Sequence, residues 1–432
     1  MKTSSSLSRR SFLKRSAATG AALSVPMIVP GGVLGKDAMA PSERITLGVI
    51  GFGGRCGRIL PHFMMFDDVQ CIGVSECRAD RMAKAKKVID DHNKNQDCAT
   101  YTEFRDLLAR DDLDAVLIAT GDRWHTPASV LAAKAGKDIY CEKPVSLAIA
   151  ESRALADTIA RYGTVYQAGH QRRSVSEYRF QAEAVRKGLI GKVHTVICQV
   201  WAGPTVAYDK PQPVPKGFDY DRWLGPTPWH PYSAARVNGW NYFWDTGAGP
   251  IIGMGCHYTD LVQWVMDRDD TGPTDYQGTA TWDPKAFSDT PVTADCTCTY
   301  ADGLKIVLKS SGSFADRYIR FVGSEGWVQV DDGTNLVTAE PKSILKSNVR
   351  STMGYAATGD HVRNWLDCIK SRRSPIAHAE SAHRANTICN IANIGLRLGG
   401  RSLKWDPVTE RFANDDQANS MLQRAMRQPW RV

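Results

Sequence analysis

One stretch constrains this chain more than any other. Ile45 to Ile50 is a short apolar run with β-branched residues, the composition of a buried strand. It runs directly into Gly51-x-Gly53-x-x-x-Gly57, and an amphipathic segment follows. A glycine at the first position permits a tight turn, and one at the second lets the main chain approach a ligand. The helix that starts there offers unpaired N–H groups to an anion. Strand, glycine turn and helix in this order are what a dinucleotide pyrophosphate needs. The third glycine falls one residue later than in the commonest G-x-G-x-x-G spacing.

Further strands follow at intervals. Val69 to Glu76 is a second strand ending in an acid, and Leu113 to Thr120 is a continuous apolar run of the kind buried on both faces. A polar loop from Thr120 to Pro127, a helix and the strand Asp138–Cys141 then deliver Glu142 and Lys143. Strands alternating with helices predict a parallel sheet whose ligands bind at the C-terminal strand ends. Gly51, Glu76, Thr120, Glu142 and Lys143 all fall at such ends. Glu76 stands where an acid holds the adenosine ribose hydroxyls and would repel a 2′-phosphate. NAD is therefore expected, with NADP left open by Arg78 two residues on.

Beyond Gly169 the pattern changes. His194–Trp201, Gly278–Trp282, Cys296–Tyr300, Leu304–Ser310, Tyr318–Val322 and Trp327–Val330 read as strands with few helices between them. They predict a mostly antiparallel sheet, one face packed on helices and the other available to substrate. The proline-rich stretch 203–231 reads as a long ordered loop over the site. Helices return at His257–Val265, His361–Lys370 and Ala379–Leu398. The fold expected is α/β: an N-terminal Rossmann doubly wound parallel sheet over 41–169, then a C-terminal α+β domain with a large, mostly antiparallel open sheet over 170–432.

The formal charge of +8 is concentrated at the start. Residues 1–40 hold six basic side chains against Asp37, which leaves three net positive charges for the rest. That is no nucleic-acid footprint, and no basic stripe with interleaved aromatics exists. Ser8-Arg9-Arg10-Ser11-Phe12-Leu13-Lys14 resembles a twin-arginine export signal. The Ala- and Gly-rich segment after it contains Pro26 and Pro30 and is a poor membrane span. Ala38-Met39-Ala40 offers a cleavage site, with an unfavourable Pro41 behind it. The expectation is a periplasmic or extracytoplasmic protein exported folded, with its cofactor inside. The eleven cysteines are odd in number, scattered and without a C-x-x-C pair. They read as buried small apolar residues, with no disulfide framework and no metal site.

Several of these motifs together resemble the glucose-fructose oxidoreductase / inositol dehydrogenase (Gfo/Idh/MocA) family. They are the glycine turn, Trp124-His125 with Pro127, Glu142-Lys143-Pro144, Gly169 to Arg173, Trp223 to Pro228, Gly255-Cys256-His257, Asp360 to Trp365 and Arg427 to Trp430. The resemblance covers nearly everything after residue 44. It implies hydride transfer between a nicotinamide and a carbinol carbon of a sugar, cyclitol or related polyol. Lys143 and His257 would carry the charge and proton work. Cofactor contacts would come from Gly51, Phe52, Gly53, Gly54, Arg55, Glu76, Thr120, Gly121, His125, Glu142, Lys143 and Arg172. Arg173, Trp240, Tyr242 and Asp260 would face the substrate, Trp201 and Trp244 could stack on sugar, and His383 reads as structural. A homodimer or homotetramer through the open sheet face is also implied.

One departure matters. The family usually carries Asp four residues before the histidine, and here Gly253 stands in its place. Asp260, one helical turn after His257, or Asp245 could substitute. Three readings follow: a sugar or cyclitol oxidoreductase with tightly held nucleotide, an NAD-dependent glycosidase or lyase using transient oxidation on the same fold, and a non-catalytic sugar-binding protein.

Overall fold

Six strands form the first sheet: β1 (Ile45–Ile50), β2 (Val69–Ser75), β3 (Ala99–Tyr101), β4 (Ala115–Ile118), β5 (Asp138–Cys141) and β6 (Tyr166–Ala168). All pair in parallel, in the order β3-β2-β1-β4-β5-β6. The computed structural model describes residues 43–348 and 360–430, so the export-like segment lies outside the described residues. The register explains why the site forms where it does. Tyr101, Ser75, Ile50, Ile118, Cys141 and Ala168 lie in one row across the sheet. The residues that follow them, among them Glu76, Gly51 and Glu142, therefore emerge side by side along one edge.

Nine strands form the second sheet: β7 (Val193–Val200), β8 (Asp275–Thr281), β9 (Thr293–Thr299), β10 (Lys305–Ser310), β11 (Tyr318–Gly323), β12 (Gly326–Asp331), β13 (Val337–Glu340), β14 (Leu403–Asp406) and β15 (Arg411–Phe412). Their order is β13-β12-β11-β7-β10-β9-β8-β14-β15, antiparallel except for the β7–β10 pair. Alternation sets its two faces. Ile306, Leu308 and Ser310 point into the core, while Lys305, Val307 and Lys309 stand on the open face. The inner face packs on the helix Gly255–Val265, in which all eleven residues are buried. A helix buried on every side belongs in the middle of a core, and this one carries His257 with it.

Two late helices join the sheets. Asp360–Ser371 returns to the first sheet, where fully buried Trp365 lies edge-on to Phe63 and Tyr140, each at 5.8 Å between ring centroids. Ala379–Arg397 begins in the core of the first sheet with Ala379 and Ala382 and ends in that of the second with Ile388, Cys389 and Ile391. All eleven cysteines are free thiols, ten of them buried. No described helix is long and apolar enough to cross a membrane.

Candidate active site

A cavity of about 360 Å³ lies at the C-terminal edge of the parallel sheet. Gly51 to Arg55 form its floor, and Glu76, Thr120 and Gly121 line it too. At Gly51 (φ +83°) a Cβ would fall 2.8–3.0 Å from Thr120, so only glycine fits. At Gly54, by contrast, a Cβ would meet nothing within 4 Å, and at Gly53 only the Arg81 Nη1 at 3.7 Å. The turn therefore opens onto free space just where the helix Gly54–Met64 begins and its first N–H groups lack intrahelical partners. Glu76 stands beside it, accepting hydrogen bonds from the Phe52 N–H at 2.7 Å and the Arg78 N–H at 3.0 Å. An open glycine cradle, a helix N-terminus and a neighbouring carboxylate fit the pyrophosphate and ribose of a dinucleotide.

Arg55 leaves the glycine turn and pairs with buried Glu142 at 2.9 Å. Burial pushes the Glu142 carboxyl up, but the Arg55 guanidinium outweighs it and holds the group below the usual range. Gln171 donates to the same oxygen at 2.7 Å, and Glu142 Oε2 has no partner among the described residues. Next in sequence, Lys143 reaches across to the second domain and donates to the Gly253 carbonyl at 2.5 Å. Gly253 is thus both the missing carboxylate and the acceptor for this lysine.

His257 is buried, and its Nδ1 has no partner among the described residues. Burial, then the nearby charges of Arg172 and Lys143, hold its imidazole well below the ordinary value. His170 packs edge-on against it at 5.6 Å, also buried, with neither ring nitrogen hydrogen-bonded among the described residues and its Nδ1 4.0 Å from Asp260; burial and the charge of Arg173 push it down to about 3. Two neutral imidazoles thus lie side by side, within the electrostatic reach of Lys143.

Several expected contacts are placed elsewhere. Glu142, Lys143, Arg172 and His257 do not line the cavity, and neither does His125. Its Nδ1 lies 2.7 Å from the Pro144 carbonyl, which can only accept, so the ring donates there and braces the turn that carries Lys143. Arg172 is forked onto Asp332 at 2.5 and 2.7 Å. Arg173 spends its guanidinium on Asp260, Asp269 and the Ile376 carbonyl. Asp260 accepts both of its bonds from Arg173 and is fully buried, and desolvation lifts it to about 6 despite that partner. It is a structural counter-ion inside the helix, not a surface facing substrate. Asp245 is likewise engaged, by His230 and Arg236. Trp240 lines the cavity, whereas Tyr242 does not. Trp201 packs against Arg317 and Phe314, Trp244 against Arg397 and Arg424, and neither lines the cavity. His383 bridges Ser152 and Glu410, a structural place. The open face of the second sheet carries none of the candidate residues, because the chemistry-bearing helix packs on the other face.

Three features of the site were not among the candidate site residues. Buried Asp122 sits in the loop after β4, lifted by desolvation to about 7 although Lys143 and Arg123 act against that. Arg123 lies 4.0 Å above the Trp223 ring, bonds to the Trp223 carbonyl and crowds Gly121 so closely that a Cβ there would fall 2.4 Å from its Nη1. Finally, Trp124, Trp223 and Trp430 join Trp240 in the cavity wall.

The fold and the cleft define a dinucleotide-dependent oxidoreductase architecture. Residues 45–170 match the NAD-binding Rossmann fold of the Gfo/Idh/MocA oxidoreductase family, and residues 192–432 match that family's C-terminal alpha/beta domain. The chain belongs to this family. A myo-inositol 2-dehydrogenase of Thermotoga maritima is 28% identical over 226 residues, 52% of this chain and 56% of that protein. A glycosyl hydrolase family 109 protein of Saccharopolyspora erythraea is 32% identical over 171 residues, 36% of this chain and 37% of that protein. The matches to these two curated relatives thus span about half and about a third of their length. The crystal structure of an aldose-aldose oxidoreductase from Caulobacter crescentus superposes with a TM-score of 0.63 at 17% identity, covering 84% of this chain and 99% of that one, a likeness of fold.

Proposed function

We propose that this protein is a sugar or cyclitol oxidoreductase that holds NAD through export. The observation that carries the reading is the hydrogen bond from Lys143, just after β5, to the carbonyl of Gly253, four residues before His257 in the second domain. A bound nicotinamide would supply hydride exchange at a carbinol carbon. Gly51 to Gly54 and the helix start would hold the pyrophosphate, and Glu76 the adenosine ribose. Lys143, already turned to a carbonyl oxygen, would donate to the reacting oxygen and stabilise the charge that develops on it. Neutral His257 would take the carbinol proton at its free ring nitrogen or return it. A sugar or cyclitol substrate is supported by the relatives named above, and NAD over NADP by the Glu76 carboxylate. The uncovered sheet face is the surface we assign to self-association, and Arg9-Arg10 to folded export.

Gly253 favours a second reading on the same residues. With no carboxylate to relay the proton outward, a chemistry that returns the hydride to its origin suits the site, as in NAD-dependent glycosidases. One experiment separates the two. Nucleotide released from denatured protein is identified by mass spectrometry, and the native protein is then screened with sugars, cyclitols and aryl glycosides. Net NADH formation supports the first reading. Glycoside cleavage without a change in NADH absorbance replaces it with the second, and release of no nucleotide defeats both.

A further inference from the structure

One wall of the cavity comes from residues some three hundred positions after its neighbours. Trp430 is only 5% exposed and packs edge-on against Trp124 at 5.3 Å, with the Arg105 guanidinium 5.1 Å over its ring. The two touching indoles differ in one respect. Trp124 donates its Nε1–H to the Arg222 carbonyl at 2.9 Å, while the Trp430 Nε1 is buried with no partner among the described residues. A buried donor without an acceptor is costly and uncommon in native proteins. Its place is informative. Glu103 and Phe104 after β3 and Trp124 after β4 line the same cavity. The strand order sets the ends of β2, where Glu76 stands, and of β1 between these two loops, and the β3–β2 end is the adenosine side of a Rossmann site.

The segment that brings Trp430 there is clamped. The Arg427 N–H donates to the Pro226 carbonyl at 2.8 Å, and its guanidinium reaches Asp221 at 2.6 Å, the Gly225 carbonyl at 3.0 Å and the Thr227 carbonyl at 3.3 Å. Gly225 in turn lies against Trp124 so closely that a Cβ would meet the indole at 2.3–2.6 Å. Tail, loop 219–228 and Trp124 form one layer over the cavity.

We propose that Trp430 is a nucleotide-binding residue whose indole N–H donates to the adenosine half of the dinucleotide, with residues 427–430 as the strap that slows its release. The proposal rests on the reading of the cleft as a dinucleotide site. It is tested on the full-length chain, stripped of nucleotide and titrated separately with NAD, ADP-ribose and nicotinamide mononucleotide. Trp430→Phe keeps the ring and loses the donor. It is expected to weaken NAD and ADP-ribose about five- to tenfold, the scale of one neutral hydrogen bond, and to leave the mononucleotide unchanged. Arg427→Ala and removal of 427–432 are expected to speed NAD dissociation in a chase experiment. Unchanged affinity in Trp430→Phe, or equal weakening of the mononucleotide, overturns the assignment. Unchanged dissociation in Arg427→Ala overturns the strap. If the unaltered protein binds none of the three ligands, the reading of the cleft itself fails, a result distinct from either.

Discussion

The Lys143 ammonium donates to the main-chain carbonyl of Gly253, 110 residues further along the chain. The family's usual aspartate would stand at this same residue, and a Cβ there would meet nothing within 4 Å. Gly253→Asp should therefore fold normally and place a carboxylate beside Lys143. For an oxidoreductase with a weakened relay, net reduction of added NAD should rise by about tenfold or more, since a positioned acid or base typically contributes ~10²–10⁴ in rate. Stopped-flow absorbance of NADH reads this directly, and a slower reaction would contradict the relay argument.

Lys143→Ala and His257→Ala should each lower turnover by ~10²–10⁴ while bound nucleotide and melting temperature survive. Full activity in both would remove these residues from the chemistry.

Glu76 is tied to the glycine turn through the Phe52 N–H. Glu76→Ala should weaken NAD binding by about 1.5–3 kcal/mol, the scale of hydrogen bonds to a charged group. Calorimetric titration measures it, and tighter NADP binding in the same variant would show that the carboxylate also discriminates.

Asp122 is lifted by burial from 3.8 to about 7. A carboxyl raised in the folded state contributes stability below its unfolded value, and that contribution disappears as pH rises through about 7. Asp122→Asn should therefore stabilise the protein at pH 8 relative to pH 5, with a difference on the order of a few kcal/mol. Denaturant melts of both proteins across this range test the sign. Equal differences at both pH values would mean that Asp122 titrates normally.

Asp260 holds fully buried Arg173 with two bonds. Asp260→Asn should cost on the order of 3 kcal/mol, because it leaves a buried guanidinium underpaired. The loss should appear in the melting temperature and not as a selective fall in turnover. A stable, inactive variant would instead place Asp260 in the reaction.

The glycine turn and the ends of β1, β2, β4 and β5 were legible because they are local. Six residues of apolar run and a spaced set of glycines specify a βα turn wherever they occur. Strands β13, β14 and β15 have four, four and two residues and carry too short an alternation to read. Arg172 and Arg173 were legible as cations after a strand, but their partners Asp332, Asp260 and Asp269 lie 87 to 160 residues away. No spacing rule reaches that far. For the same reason Trp430 could be matched as part of a motif, but not set against Trp124.

The ion pairs at the joint between the two sheets decide how anything gets in. Swinging the sheets apart would strip Arg172 from Asp332 and Arg173 from Asp260, and one buried pair broken costs about 3–5 kcal/mol. Lifting the segment around Arg427 breaks a pair with exposed Asp221, worth about 0–1 kcal/mol for the charges, along with the hydrogen bonds to the Pro226, Gly225 and Thr227 carbonyls. The joint behaves as a weld and the tail as a latch. If residues 427–430 close over a bound nucleotide as proposed, a cofactor installed before the latch closes stays with the protein.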